Sequence, residues 1–166
     1  QLPDGRLVLA MRSLDSQFFE HTQVLRLRAD GSIDPEFSPT EYEGRVDRIA
    51  VSPRGRIVLA GAIAKVGGIQ RFGLARLFDN GGVDSEFLCD VLANGPTPVA
   101  WFDVNVHGLE FLDDKRLLIA GSFSRVQGES LGKPLVVVHA EDSIAGPAQW
   151  IDLPEKVSAV EGRIQI

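Results

Sequence analysis

A single cysteine, Cys89, occurs in 166 residues. This excludes an internal disulfide and a thiolate-rich metal site, and between Leu88 and Asp90 the residue reads as a small buried apolar group. Histidine is scarce too: His21, His107 and His139 sit at unrelated positions, with no second His or Cys at zinc-ligand spacing. No Gly-x-Ser-x-Gly nucleophile signature is present, and no dense Asp-x-Asp-x-Asp loop suited to calcium. The acidic pairs Asp113-Asp114 and Glu141-Asp142 fall in polar turn slots, where carboxylates serve turn geometry and solubility. No catalytic residue, metal or cofactor is therefore expected. No apolar run is long enough for a transmembrane helix, so membrane insertion is not expected either. Lys and Arg number 17 against 23 Asp and Glu, a formal charge of -6, and the basic residues are scattered. A phosphate-backbone partner needs clustered cations, so no nucleic acid is expected.

What the chain has instead is turns and short apolar runs. With 17 Gly, 9 Pro and 44% hydrophobic residues it has the composition of a turn-rich globular protein. Three stretches resemble one another: Leu2 to Ala10, Ser52 to Gly61, and Leu112 to Gly121. In each, a polar turn leads to an Arg, then to branched aliphatics closed by Ala, as in a tight turn feeding a buried strand. Arg6 and Arg56 are 50 residues apart, Arg56 and Arg116 are 60 apart. The first register continues from Leu25, Arg26 and Leu27 onto Ala75, Arg76 and Leu77, and from Gly31, Asp34 and Phe37 onto Gly81, Asp84 and Phe87. The second links Gly61, Ile63 and Val66 to Gly121, Phe123 and Val126.

A recurrence of this length signals tandem repeats. The approximate units are 2–51, 52–111 and 112–166, forming one array. Each unit reads as four short strands: Val46 to Val51, Arg56 to Ala60, Leu74 to Phe78 and a short piece leading to Phe87 in the second unit, with counterparts in the others. Four antiparallel strands per unit is the dimension of a propeller blade. The expected fold is all-β, a β-propeller-like array of three four-stranded antiparallel blades, an open fragment of a larger propeller; a sandwich or β-solenoid is the competing arrangement. The ten extra residues of the second period follow Phe87, where Asn94-Gly95-Pro96 and Pro98 predict a longer loop. Its Trp101 and Phe102 are candidates for a binding patch or for packing on their own blade.

Asp-Gly-Arg followed by aliphatics, the Gly-x-Phe-x-x-Val-x-Gly run from Gly121 to Gly128, and Leu25 to Phe37 together resemble the delta-60 repeat family. The resemblance implies a tandem-repeat, propeller-like segment of large bacterial proteins, surface-exposed or secreted, with no catalytic residues to transfer; the composition itself is equally compatible with the cytosol. The expected role is a non-enzymatic interaction or scaffold module. Its partners would be other blades of a parent protein, a second copy of the chain, or a protein or glycan ligand. A glycan- or small-molecule-binding propeller is the alternative, with a propeller hydrolase behind it.

One pair of residues varies together. Arg26 with Asp34, and Arg76 with Asp84, recur at the same separation of eight. The third unit has lost both, with Val136 expected at the Arg position and Ile144 or Ala145 at the Asp position. This predicts an ion pair within each blade, shielded by Phe37 or Phe87, because an unpaired shielded charge is costly while loss of both partners is tolerated. Leu7, Leu9, Ile57, Leu59, Leu117 and Ile119, with Val8, Val58 and Leu118 on the opposite face, are expected to be largely buried, as are Ala10, Ala60 and Ala120.

Overall fold

A computed structural model describes residues 1–14, 20–38, 41–93, 103–126, 129–130, 135–140, 158–160 and 163–165. Every regular element among them is a strand, and every strand pair is antiparallel.

The first blade has β1 (Leu7–Leu14) and β2 (Glu20–Leu27). The second has β3 (Tyr42–Gly44), β4 (Arg48–Val51), β5 (Ile57–Ala60), β6 (Ile63–Val66), β7 (Ile69–Gln70) and β8 (Leu74–Leu77). The third repeats that series as β9 (Val91–Leu92), β10 (Asn105–Phe111), β11 (Arg116–Ser122), β12 (Arg125–Val126), β13 (Glu129–Ser130) and β14 (Leu135–His139). A final hairpin joins β15 (Ser158–Val160) to β16 (Arg163–Gln165).

In the second blade the sheets β4-β5-β8 and β3-β6-β7 are two halves of one three-stranded meander. Bonds from Arg45 N to Ala62 O and from Asp47 N to Ala60 O, both 2.8 Å, carry the ladder across the bend. Gly61 is what permits the bend. It has φ +153°, and a Cβ there would lie 2.4 Å from the Arg45 carbonyl oxygen. Gly121 stands at the same point of the third blade, where a Cβ would lie 2.1 Å from the Asn105 oxygen. Past the bend the chain runs on into β6 and β12, short elements that the sequence pattern does not show.

Two expectations change here. The fourth piece of each blade forms a single bridge, Leu27 to Ile33 and Leu77 to Val83, because the Asp-centred turn that follows draws the chain away after one residue. The extra residues after Phe87 are not all loop either: Val91–Leu92 pairs with β12 as Tyr42–Gly44 pairs with β6. The blades, running 42–87 and 91–140, also straddle the repeat boundaries drawn at residues 52 and 112.

Packing between blades follows one rule. The face of Val8, Ala10, Val24 and Phe37 on the first blade meets Ile57, Leu59, Ala75 and Leu77 on the second. The face of Val58, Ala60, Leu74 and Phe87 on the second meets Leu117, Ile119, Val136 and Val138 on the third. Ile57, Val58, Leu59, Leu117 and Ile119 are fully buried, and Leu118 nearly so. Leu7 and Leu9 are not: they are 38% and 37% exposed, contrary to expectation, because among the described residues no strand lies against that face of the first blade. Val8, Ala10 and Ala120 are half-buried rather than buried, whereas Ala60 is fully covered.

Candidate functional site

The most elaborate polar geometry of the chain surrounds the two arginines of the third strands. Arg26 stands opposite Val8 in the β1–β2 ladder, and Arg76 opposite Val58 in the β5–β8 ladder. Both point into a contact between blades and are almost wholly buried. Arg26 Nε donates to Asp34 Oδ2 at 2.8 Å, and Arg76 Nε donates to Asp84 Oδ2 at the same distance. The other carboxylate oxygen closes the turn, accepting the Glu36 N–H at 3.1 Å and the Glu86 N–H at 3.0 Å. Aromatic rings cover the cations: the Arg26 guanidinium carbon lies 5.2 Å from the Phe37 ring centre, and that of Arg76 4.7 Å from Phe87, within cation–π range.

Each arginine also reaches the next blade. Arg26 Nη1 donates to the Asp79 carbonyl, through a short bond, and to Asp79 Oδ1 at 2.8 Å. Arg76 Nη1 donates to the Ala140 carbonyl at 2.6 Å. Asp79 and Ala140 both follow the last strand of their blades, so one side chain fastens its own turn and its neighbour's strand end. Ser38 N donates to Asn80 O at 3.0 Å beside the first of these bonds. Sequence reasoning reaches the Arg–Asp pairing but not the link to the next blade, since the acceptor common to both arginines is a backbone carbonyl, and the Asp79 carboxylate that Arg26 also reaches has no acidic counterpart at Ala140.

The third blade departs from the expected register. Val137, not Val136, holds the arginine position: it stands opposite Leu118 as Arg76 stands opposite Val58. A one-residue insertion before β14 shifts the strand, and Val136 faces the apolar contact with the second blade instead. Residues 144 and 145, the expected partners, lie outside the described residues, as do Trp101 and Phe102.

Electrostatics around Asp34 favour its charged form. Burial acts to raise the Asp34 pKa, but the Glu36 N–H, the Arg26 hydrogen bond and the charges of Arg26 and Arg28 outweigh it and hold the carboxyl below its usual value. Arg71, a buried residue that the repeat pattern does not single out, ties down the corresponding turn of the second blade. Its Nη2 donates to the Ser85 carbonyl at 2.8 Å and its Nη1 to Gln70 O at 2.9 Å. Burial lowers the Arg71 pKa, opposed by the charges of Asp90 and Asp84, while burial raises that of Asp90.

Further side chains link the second and third blades. Arg45 Nε donates to Asp47 Oδ1 at 2.6 Å, and its Nη2 to Asn105 Oδ1 at 2.7 Å. The turn carboxylates act similarly: Asp113 Oδ1 accepts the Lys115 and Arg116 N–H groups, both at 2.8 Å, while Asp114 pairs with Arg54 at 3.0 Å. Cys89 is buried in the apolar contact between these blades. Among the described residues, no three of His, Cys, Asp and Glu gather as a metal-ligand group.

Residues 2–37 and 55–87 match a family model described as a domain of unknown function (DUF5122) β-propeller. The chain has the all-β architecture of a β-propeller repeat. Both matched segments end at the aromatic residues, Phe37 and Phe87, that cover the buried arginines. Neither the curated proteins nor the solved structures give a match. Chemically, the buried arginines and aspartates are engaged in holding turns and neighbouring blades together.

Proposed function

We propose that the chain is a non-enzymatic interaction or scaffold module of a larger bacterial surface or secreted protein, whose first partner is another blade of its own kind. The observation that carries this reading is the contrast between equivalent faces. Ile57 and Leu59 are fully buried by the first blade, while Leu7 and Leu9 in the same positions are more than one-third exposed and continue into Met11 at 49%. Among the described residues the adjoining edge of β1 is also open: β5 lies between β4 and β8, and β11 between β10 and β14, but β1 pairs with β2 alone. An apolar face beside an unpaired edge is a surface prepared for another β element. The bacterial and extracellular address rests on the resemblance to the delta-60 repeats.

Light scattering on the 166-residue chain tests the reading. A second copy should cover the exposed face, giving a dimer or larger species, and Leu7→Lys with Leu9→Lys should return it to a monomer. A well-behaved monomer with cooperative unfolding in the unsubstituted chain would overturn the reading.

A further inference from the structure

β4 and β10 lie side by side, and at their N-terminal ends a cleft of about 280 Å³ opens between the blades, with Arg12 of β1 on its rim. This is close to the lower end of ligand-pocket sizes, roughly 300 Å³. Arg12, Arg45 and Arg48 face it with one carboxylate, Asp47, and with Asn105 and His107. We propose that this cleft binds a small hydrophilic molecule through a carboxylate or phosphate group. The inference stands apart from the scaffold reading, since it concerns a different surface.

Charge and geometry carry it. Asp47 is fully engaged: Oδ1 takes the Arg45 Nε, and Oδ2 takes the Arg45 Nη2 at 3.3 Å and the Val106 N–H at 3.2 Å. Arg45 and Asp47 thus neutralise each other, and Arg12 and Arg48 remain as two positive charges in a chain of net charge -6. Arg48 is held in place without being neutralised. Its Nε donates to the His107 carbonyl at 3.0 Å and its Nη1 to the Asp47 carbonyl at 2.7 Å, both neutral acceptors. Arg12 has no ion-pair partner among the described residues. A guanidinium fixed by carbonyls and a second one within the same small cleft suit an oxyanion, which accepts paired N–H donors.

The repeat supplies an independent argument. At the positions of Arg12, Arg45, Asp47 and Arg48 the third blade has Ser122, Asn105, His107 and Gly108. Arg12, Arg45 and Arg48 are therefore not part of the pattern that all three repeats share, as Arg6, Arg56 and Arg116 are.

Calorimetric titration at low ionic strength with glucuronate, citrate and inorganic phosphate, and with glucose as the neutral control, tests the proposal. At least one anion should bind saturably, at roughly millimolar Kd or tighter, and glucose should not. Arg48→Gln should weaken that binding at least tenfold, Arg12→Gln with Arg48→Gln should abolish it, and Arg28→Gln should leave it unchanged. Which anion binds separates a carboxylate ligand from a phosphate ligand. Should the variants fold poorly, amide NMR of the unsubstituted protein decides: the bound anion must shift Arg48 and residues 105–107. No saturable binding of any anion, equal binding of glucose, undiminished binding in the double variant, or shifts confined to other surfaces would each overturn the proposal.

Discussion

Arg76 and Asp84 close on each other twice: the Asp84 N–H donates to the Arg76 carbonyl at 2.9 Å, and the Arg76 guanidinium returns to the Asp84 carboxylate, with Nη2 at 2.6 Å. The first blade repeats both contacts in Arg26 and Asp34, at 2.9 Å and 2.8 Å. Removing one buried partner strands the other charge, at roughly 3–5 kcal/mol, whereas replacing both by apolar groups is often neutral. Asp84→Ala should therefore lower stability by about that much in urea denaturation. Arg76→Val combined with Asp84→Ala should recover a large part of the loss. Recovery should be incomplete, because the Ala140 carbonyl also loses its donor. An additive double variant would show that the pair carries no coupling.

Gly61→Ala should be among the costliest single changes. The added Cβ would lie 2.4 Å from the Arg45 oxygen and 2.7 Å from the Asp47 nitrogen, backbone atoms that hold the bend of the blade. Backbone strain alone is worth roughly 1–3 kcal/mol, and the clash adds to it. Gly31→Ala is the comparison: φ is +85° but nothing lies within 4 Å, so only the conformational cost of about 1–2 kcal/mol applies. Thermal unfolding of the two variants should rank them in that order.

How far the sequence carries depends on which physical term set each feature. The Arg–Asp spacing was legible because two copies keep it and a third changes it, as expected of charges that cannot be buried singly. The strand-plus-turn rhythm was legible because a buried strand needs a continuous aliphatic run. Val137 was misplaced by one residue because a single insertion before β14 is invisible until the ladder opposite Leu118 is seen. The exposure of Leu7 and Leu9 was missed because their residues are those of a buried strand; only the arrangement of neighbours decides whether that face is covered. The role of Arg26 and Arg76 between blades was hidden for a related reason, since a carbonyl acceptor can belong to any residue and the one acidic acceptor, Asp79, has Ala140 as its counterpart in the third blade. The cleft joins Arg45 and Arg48 to Arg12, Asn105 and His107, which are far from them in sequence and belong to no motif.

Acid should weaken the first blade through Asp34. Its pKa in the folded chain lies below the usual value, so its contribution is fully present above the unfolded pKa of about 3.9 and is lost as pH falls through the lower folded value. Asp90 works oppositely, its pKa raised by burial, so its ionisation above that range opposes folding. Urea midpoints measured from pH 6 down to pH 3 should fall, and fall less steeply in Asp34→Asn. In Asp90→Asn they should start higher at pH 6 and fall more steeply.

Equivalent leucines should respond differently to truncation. Leu59→Ala removes a fully buried side chain and should cost roughly 2–5 kcal/mol. Leu9→Ala, at the same position of the first blade but 37% exposed, should cost much less. Both are measured at a protein concentration at which light scattering shows a monomer, and equal losses there would contradict the open face of the first blade.

The central claim is that the first blade presents a face and an edge made for another blade of the same repeat. Hydrogen exchange along β1, with and without an extra unit, measures this directly. Val51 runs into Ser52 in the register in which a preceding unit would run into Leu2, so residues 2–51 can be duplicated in frame ahead of Leu2. In the extended chain, folded by circular dichroism, the β1 amides of the original blade should exchange at least tenfold more slowly than in the unextended chain at a concentration at which it is monomeric. Leu9→Glu in that blade, tolerated in the unextended chain, should become as damaging as Leu59→Glu. Unchanged exchange along β1 in the folded, extended chain would contradict the account.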